Sequence, residues 1–296
     1  MRAFITSVIL ASGVLSVSWA SAGTPICATD ANGDEICLDP PAQRIAVLSP
    51  GATELMWAAG GGDQVVAVVS WSDYPEAATQ VESVGSHTRI DLERLVELDP
   101  DLVIGWVTGN PYEQLEALRD LGFPVFSIEP RTFEQVSSTI EQLAVLAGTE
   151  AEGFATAEQV RTNMATLADT YADAEPVTVF YQVWDAPLMT VNDEHLISQA
   201  IALCGGVNVF GDLERLVPRI SAEAVLGGDP EAILAGGMGE ENRAWLDEWA
   251  QYPTLTATAL GNLYFIPPSL IQRPTPRMYD GTKIFCEKLD QARAKR

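Results

Sequence analysis

The sequence predicts an α/β protein of two Rossmann-like lobes, each built on a parallel β-sheet, with one long α-helix joining them. Short apolar segments of strand length alternate with helical segments in both halves of the chain. A pattern in the first half returns in the second, and a proline-free helical stretch lies between them. A chain of 296 residues is long enough for two domains.

Strands and helices alternate with short connections, which is typical of parallel α/β sheets. The strands predicted in the first half are 45–48, 65–69, 102–105 and 125–128, with helices at 53–59, 92–98 and 112–121. The elements predicted in the second half are strands 177–183, 232–235 and 263–266, with helices at 195–203 and 222–226.

An internal repeat relates the two halves. Residues 90–105 resemble residues 220–235 at a constant offset of 130, and residues 121–130 resemble 260–267 in the same order. The repeat predicts two lobes of like topology that face each other across a cleft. Ligands of open parallel sheets bind beyond the carboxyl ends of the strands, so we expect a binding site in that cleft.

The segment between the halves, 150–174, predicts the linker helix. Apolar side chains at three- and four-residue spacing form one helical face: Phe154, Ala157, Val160, Met164, Leu167 and Tyr171. Within this segment, the 24 residues 150–173 would form a helix about 36 Å long. We expect it to pack against one or both lobes, 23–149 and 175–296, and to limit hinge motion between them.

The first 22 residues have the features of a signal peptide. Arg2 precedes an apolar stretch, and Ala20-Ser21-Ala22 is an A-x-A cleavage site. A retained anchor helix is the alternative, although polar residues interrupt the stretch. Cys27 follows no lipobox-like sequence, so we expect no lipid anchor. The prediction is a protein exported to the periplasm.

Composition excludes several functions. Asp and Glu outnumber Lys and Arg by 41 to 17, and the net charge of −24 disfavours binding to nucleic acid or anionic membrane surfaces. Two histidines cannot form a three-histidine metal site. The sequence lacks a phosphate-binding loop, a dinucleotide fingerprint and a nucleophile elbow. We therefore predict no catalytic residues and no metal site; an exported enzyme is the remaining alternative.

Four cysteines in an exported protein predict two disulfides, for which three pairings exist. The Asn32-Gly33 pair favours a tight hairpin turn that places Cys27 opposite Cys37. Cys204 and Cys286 would then form the second bond.

Aromatic residues cluster at the predicted strand ends. The segment from Trp71 to Pro75 follows the second strand, Trp106 follows the third, and Tyr181 and Trp184 close the strand at 177–183. Aromatic side chains around a cleft suit a large, flat and partly apolar ligand.

These residues resemble a known family. The resemblance rests on the following segments: Arg44-Ile-Ala-Val-Leu-Ser49-Pro50 with Thr53-Glu54-Leu55, Trp71-Ser-Asp-Tyr74-Pro75, Leu92-Glu93-Arg94, Pro100 to Ile104, Cys204-Gly-Gly-x-Asn208-x-Phe210, and Pro276-Arg277. Together they resemble the periplasmic cobalamin-binding proteins of ABC importers. The wider class comprises the helix-linked, or class III, periplasmic binding proteins for iron-siderophores, haem and corrinoids. The resemblance covers about residues 44–289.

The resemblance implies a function and partners. It implies a monomeric carrier without a resident cofactor that captures cobalamin or a related corrinoid and delivers it to a permease dimer. Glu93 and Glu223 match the acidic residues, one on each lobe, that pair with importer arginines. Cys204 and Cys286 match the family disulfide, to which Cys27–Cys37 is an addition.

The resemblance also implies a set of ligand contacts. Trp71 and Trp106 match cleft aromatics of the family, whereas His87 stands where the cobalamin binders have tryptophan, and Met189 and Val217 also replace aromatics. In the loop 269–273 an aromatic pair has become Leu-Ile. The expected ligand-binding residues are Trp71, His87, Trp106, Trp184, Met189, Ser269, Leu270, Ile271, Gln272 and Arg273.

A haem or ferric-siderophore carrier of the same fold is the alternative. In that case His87 or Tyr74 would ligate haem iron, and the ligand carboxylates would be held by arginines. The candidates are Arg89, Arg131 and Arg273.

Overall fold

The computed structural model describes residues 25–237 and 239–296. The predicted signal peptide, 1–22, lies outside these residues. The first half comprises β1 (Ile26–Thr29), β2 (Glu35–Leu38), β3 (Ile45–Val47), α1 (Pro50–Ala58), β4 (Val65–Ala67), β5 (Gly85–Ser86), β6 (Arg89–Ile90), α2 (Leu92–Leu98), β7 (Leu102–Trp106), α3 (Tyr112–Asp120), β8 (Val125–Ile128) and α4 (Phe133–Ala147).

The linker helix is α5 (Glu150–Tyr171). The second half comprises β9 (Val177–Gln182), α6 (Leu196–Leu203), β10 (Gly206–Asn208), α7 (Ala222–Gly228), β11 (Ala232–Ala235), α8 (Ala244–Asp247), α9 (Thr256–Ala259), β12 (Leu263–Phe265), α10 (Pro268–Ile271) and α11 (Met278–Arg293). Among the described helices, none is both long enough and apolar enough to cross a bilayer.

The two lobes share one sheet topology. The N-terminal sheet has the order β4-β3-β7-β8 and the C-terminal sheet the order β10-β9-β11-β12. Every neighbouring pair in both sheets is parallel. Numbered within its own lobe, each sheet reads 2-1-3-4. The predicted fold class of two parallel α/β lobes is therefore confirmed.

The repeat extends to the helix caps. The side chains of Asp91 and Ser221, 130 residues apart, each accept a hydrogen bond from the backbone N–H three residues later. Both helices end at an aspartate in the left-handed region, Asp99 with φ of 46° and Asp229 with φ of 39°. Aspartate tolerates this conformation better than most residues, so the two helices end in the same way in both lobes.

A second matched device anchors the sheets. The carboxylate of Asp101 accepts hydrogen bonds from the backbone N–H groups of Gln43 and Arg44, just before β3. At the matching place in the other lobe, the carboxylate of Glu231 accepts from the backbone N–H of Thr178 in β9. Each acidic side chain thus fixes the start of its lobe's first sheet strand.

Helix α5 packs on both lobes. It contacts α1 and α4 on one side and α6 and α11 on the other. Four members of the predicted face are buried, namely Ala157, Val160, Met164 and Leu167, whereas Phe154 is largely exposed. One continuous hydrophobic cluster runs from the N-terminal sheet through α5 into the C-terminal sheet and α11. The lobes therefore share a core.

Several element bounds differ from the prediction. Helix α1 begins at Pro50 rather than at residue 53, because Ser49 caps it and proline suits the first helical position. Two long helices, α4 and α11, lie where no helix was predicted. Helix α4 does carry signals in the sequence, since Thr132 caps its start and Gly148 ends it with φ of 70°.

Both predicted disulfides are present. Cys27 and Cys37 are directly opposite each other in the β1–β2 hairpin. Cys204, at the end of α6, is bonded to Cys286 in α11, and both are fully buried.

Candidate functional site

A cavity of about 740 Å³ opens between the lobes. Its walls include residues that lie one to three positions beyond the ends of parallel strands in both sheets, namely Ser49 after β3, Glu129 after β8, Gly237 after β11 and Pro268 after β12. The carboxyl ends of both sheets therefore face one space, as the repeat predicts.

Seven of the ten expected ligand-binding residues line this cavity: Trp71, His87, Trp106, Ser269, Ile271, Gln272 and Arg273. The other three, Trp184, Met189 and Leu270, are not in its lining. The indole of Trp184 packs edge-on against Trp245 at 5.9 Å between ring centroids. Met189 pairs with Trp184 across an antiparallel bridge, which keeps both on the same outer segment.

Trp71 combines exposure with an unusual backbone conformation. Its side chain is 76% exposed, and its φ of 70° lies in the left-handed region. That region costs a bulky residue about 1–3 kcal/mol, so neighbouring contacts must hold the loop. The guanidinium of Arg273 donates to the Trp71 carbonyl at 3.1 Å, and the hydroxyls of Ser72 and Thr53 are hydrogen-bonded at 2.9 Å. The strained backbone and exposed indole at the cavity make Trp71 a candidate binding residue.

Asn110 joins three of the cavity loops. Its buried side-chain amide donates to the carbonyls of Leu48 at 2.8 Å and His87 at 2.9 Å, and its oxygen accepts from the Trp106 N–H at 2.6 Å. These bonds set His87 and Trp106 side by side, with ring centroids 5.9 Å apart. Glycine is required at 109, because a Cβ there would lie 1.8 Å from the Trp106 ring.

An ion-pair cluster connects the lobes beside the cavity. We call Glu54, Asp73, Arg273 and Arg277 the inter-lobe cluster. Arg273 Nη1 donates to Glu54 Oε1 at 2.9 Å and to Asp73 Oδ1 at 2.6 Å. Arg277 Nη1 reaches the same Glu54 oxygen at 3.3 Å, and its guanidinium lies 4.2 Å from the Tyr74 ring centroid. Arg273, expected as a ligand contact, therefore also ties the C-terminal lobe to the N-terminal lobe.

The cluster keeps Arg273 charged. Burial acts to lower the pKa of its guanidinium, but hydrogen bonds and attraction to Asp73 and Glu54 outweigh burial and raise that pKa. Glu54 itself is buried, and its Oε1 atom is paired with both arginines.

A half-buried histidine lies in the cavity wall. His195 caps α6, and its Nδ1 accepts from the backbone N–H of Ile197 at 3.1 Å. Its ring proton is therefore on Nε2. Burial, with a further contribution from Arg131, lowers the pKa of His195 to about 4. The side chain is a neutral hydrogen-bond donor at neutral pH.

Acidic residues of the lining were not predicted from the sequence. Glu129, Glu194 and Glu240 line the cavity, together with Asp73. Glu129 directly follows strand β8, so the strand-end rule that selected the aromatic residues would also have selected this carboxylate. Glu194 and Glu240 lie in longer loops, for which the sequence carries no comparable signal.

Glu93 and Glu223 occupy the same place on their lobes. Each is exposed and is the second residue of its helix, α2 or α7. Hydrogen bonds from its own backbone N–H and from the Ser221 side chain lower the pKa of Glu223. The pair thus presents two carboxylates at equivalent positions of the repeat.

Comparisons with known proteins give a consistent relationship. The sequence profile of the periplasmic binding protein family matches residues 45–270. The chain is 36% identical over 253 residues to a vitamin B12-binding protein of Vibrio cholerae serotype O1, covering 84% of this chain and 90% of that protein. It is 35% identical over 248 residues to a vitamin B12-binding protein of Yersinia pestis, covering 84% and 86%.

Solved structures agree with this relationship. The crystal structure of the periplasmic vitamin B12-binding protein BtuF of Vibrio cholerae matches with a TM-score of 0.79 and 35% identity, over 86% of this chain and 98% of that one. The periplasmic haem-binding protein RhuT from Roseiflexus sp. RS-1 matches with a TM-score of 0.75 over 85% and 99%, at 24% identity, which shows a common fold.

Proposed function

Because the chain belongs to the family of periplasmic binding proteins, we propose that it captures cobalamin or a related corrinoid in the periplasm and delivers it to an ABC permease. The chain is a binding protein and not an enzyme. The observation that carries the proposal is the inter-lobe cavity, whose lining includes Trp106 at the end of β7 and Trp71 four residues after β4. Their flat apolar faces match the face of a corrin ring. Export would occur through the predicted signal peptide.

Calorimetry tests the ligand class directly. The mature protein is titrated with cobalamin, cobinamide, haem and a ferric siderophore under one set of conditions. We expect binding of the two corrinoids and a corrin absorption spectrum in the isolated complex. Binding of haem with a Soret band, and no heat with either corrinoid, would instead establish the haem carrier.

The alternative of a haem carrier receives partial support from residue positions. His87 and two of the named arginines, Arg131 and Arg273, line the cavity, but Tyr74 and Arg89 do not. If His87 ligated a bound metal, His87→Ala would change the visible spectrum of the complex. We expect that spectrum to stay unchanged.

Removing an aromatic wall of the cavity is expected to weaken corrinoid binding. Trp71→Ala and Trp106→Ala should each cost roughly 1–3 kcal/mol of binding free energy, because each variant removes an indole that packs on the ligand. Calorimetry measures the loss. Tyr112→Ala is the matched control, because Tyr112 is a 70% exposed aromatic residue outside the cavity lining. If both tryptophan variants bound the corrinoid with unchanged affinity, the ligand would bind at another place on the protein.

Glu93 and Glu223 are proposed to dock the carrier on a homodimeric permease. A partner with twofold symmetry would present two equal basic patches to these two equivalent carboxylates. We expect the double variant Glu93→Ala/Glu223→Ala to weaken permease binding roughly tenfold or more, which is about 1.4 kcal/mol, while ligand affinity stays near wild type. Permease in nanodiscs and surface plasmon resonance give the measurement.

The control for docking is Glu158→Ala. Glu158 is exposed on α5, so this variant removes one negative charge without touching α2 or α7. If the double variant still bound the permease with wild-type affinity, the docking role would be wrong. The two glutamates would then only stabilise their helices, because a carboxylate in the first turn interacts favourably with the helix dipole.

A further inference from the structure

The residues that line the cavity carry more negative than positive charge. The inter-lobe cluster, of which Asp73 and Arg273 line the cavity, is internally neutral, since Glu54 and Asp73 are matched by Arg273 and Arg277. The remaining carboxylates are Glu129, Glu194 and Glu240, and the remaining cation is Arg131. Arg131 Nε itself lies 3.8 Å from the carboxylate of Glu129. The walls that face a ligand are therefore predominantly anionic.

Two of these carboxylates are held in place by hydrogen bonds. Glu129, in the N-terminal lobe, accepts from the Thr108 N–H at 3.1 Å and from the Thr108 hydroxyl at 3.0 Å. Glu240, in the C-terminal lobe, accepts from the Ser269 N–H at 3.2 Å and from its hydroxyl at 2.8 Å. A carboxylate has about four lone-pair sites, so each keeps capacity for further donors. The cavity thus has fixed hydrogen-bond acceptors on opposite lobes.

The histidine of the wall does not offset this charge. Because Nδ1 of His195 accepts a backbone N–H, its ring is neutral and presents only the Nε2–H group. Burial disfavours the imidazolium form, which keeps the ring uncharged at neutral pH. His195 therefore offers no positive charge to a ligand carboxylate.

We propose that this lining selects corrinoids by their peripheral groups, binding those whose carboxyls are amidated and rejecting those with free carboxylates. Primary amides donate N–H groups, which Glu129 and Glu240 can accept without moving. A ligand carboxylate in the same place would lose water and face a fixed like charge. The inference rests on the proposed function and narrows its substrate class. It also disfavours haem, which carries two carboxylates.

The test compares two ligands that differ only at the periphery. Dicyanocobyrinic acid heptaamide and dicyanocobyrinic acid share the ring, the metal and the axial cyanides. Each is titrated calorimetrically into the mature protein at pH 7. We expect the heptaamide to bind at least roughly 100-fold more tightly, because several like charges oppose the acid.

Charge-removing variants assign this preference to the lining. Glu129→Gln/Glu240→Gln keeps side-chain shape and one acceptor oxygen at each position. We expect it to narrow the ratio of the two dissociation constants at least tenfold, mainly through tighter binding of the acid. Glu158→Gln, on the outer face of α5, is the control for the net charge of −24 and should leave the ratio unchanged. Thermal unfolding checks that each variant is folded.

The outcomes separate this inference from the proposed function. Equal affinity for heptaamide and acid would overturn the inference and leave a corrinoid carrier standing. The role of the lining would be overturned if the double variant left the ratio of the two dissociation constants unchanged. It would also be overturned if Glu158→Gln narrowed that ratio by the same factor. Binding of haem with no binding of either corrinoid would overturn the proposed function itself.

Discussion

Replacing Cys204 and Cys286 together by alanine is expected to lower the free energy of unfolding by about 4 kcal/mol. The bond closes a loop of 82 residues, and the loss of loop-closure entropy in the unfolded chain grows with loop length. Both sulfurs are buried, so their removal also leaves unfilled space between α6 and α11. Guanidinium-induced unfolding, followed by circular dichroism, measures the change.

The other disulfide is the matched control. Cys27 and Cys37 are only 10 residues apart and exposed, so Cys27→Ala/Cys37→Ala should cost less, about 2–3 kcal/mol. Losses of equal size in the two double variants would contradict the dependence on loop length.

The second large effect is expected at the inter-lobe cluster. Glu54→Ala should lower the free energy of unfolding by about 3 kcal/mol, because it removes a buried carboxylate that forms ion pairs with two arginines. The side chains of Arg273 and Arg277 are only 18% and 21% exposed, so water replaces little of the lost interaction. The same unfolding measurement applies, with hydrogen exchange at residues 70–74 reporting on the Trp71 loop.

Glu82→Ala is the control for this result. Glu82 accepts two hydrogen bonds from Arg94, but both side chains are about two-fifths exposed. Exposed pairs contribute about 0–1 kcal/mol. If Glu54→Ala cost no more than Glu82→Ala, the cluster would be an ordinary surface contact, and the Trp71 loop would need another support.

The fold could be predicted where local signals are strong. Strands β8 and β11 have the predicted bounds because each is a fully buried apolar run between turn residues. Helix α2 also has its predicted bounds, since Asp91 caps it and Asp99-Pro100 stops it. Helices α4 and α11 were not predicted, because each follows the last strand of its lobe, where the alternation of strands and helices ends.

The site was predicted in part for a similar reason. Strand ends located Trp71 and Trp106, because parallel strands place their carboxyl ends together. The ion pair of Arg273 with Glu54 joins residues 219 positions apart, and no local pattern reports such a distance. Ile271 lines the cavity and its neighbour Leu270 does not, because the loop there forms a helical turn, α10, whose successive side chains point in different directions.

The continuous core through α5 has a consequence for engineering a fluorescent sensor from this chain. Two dyes, one on each lobe, report binding only if the lobes move apart or together, and a shared core resists such movement. A single environment-sensitive dye beside the exposed Trp71 would instead respond to displaced solvent at the cavity. Sensor designs based on this protein should therefore read out local polarity rather than distance.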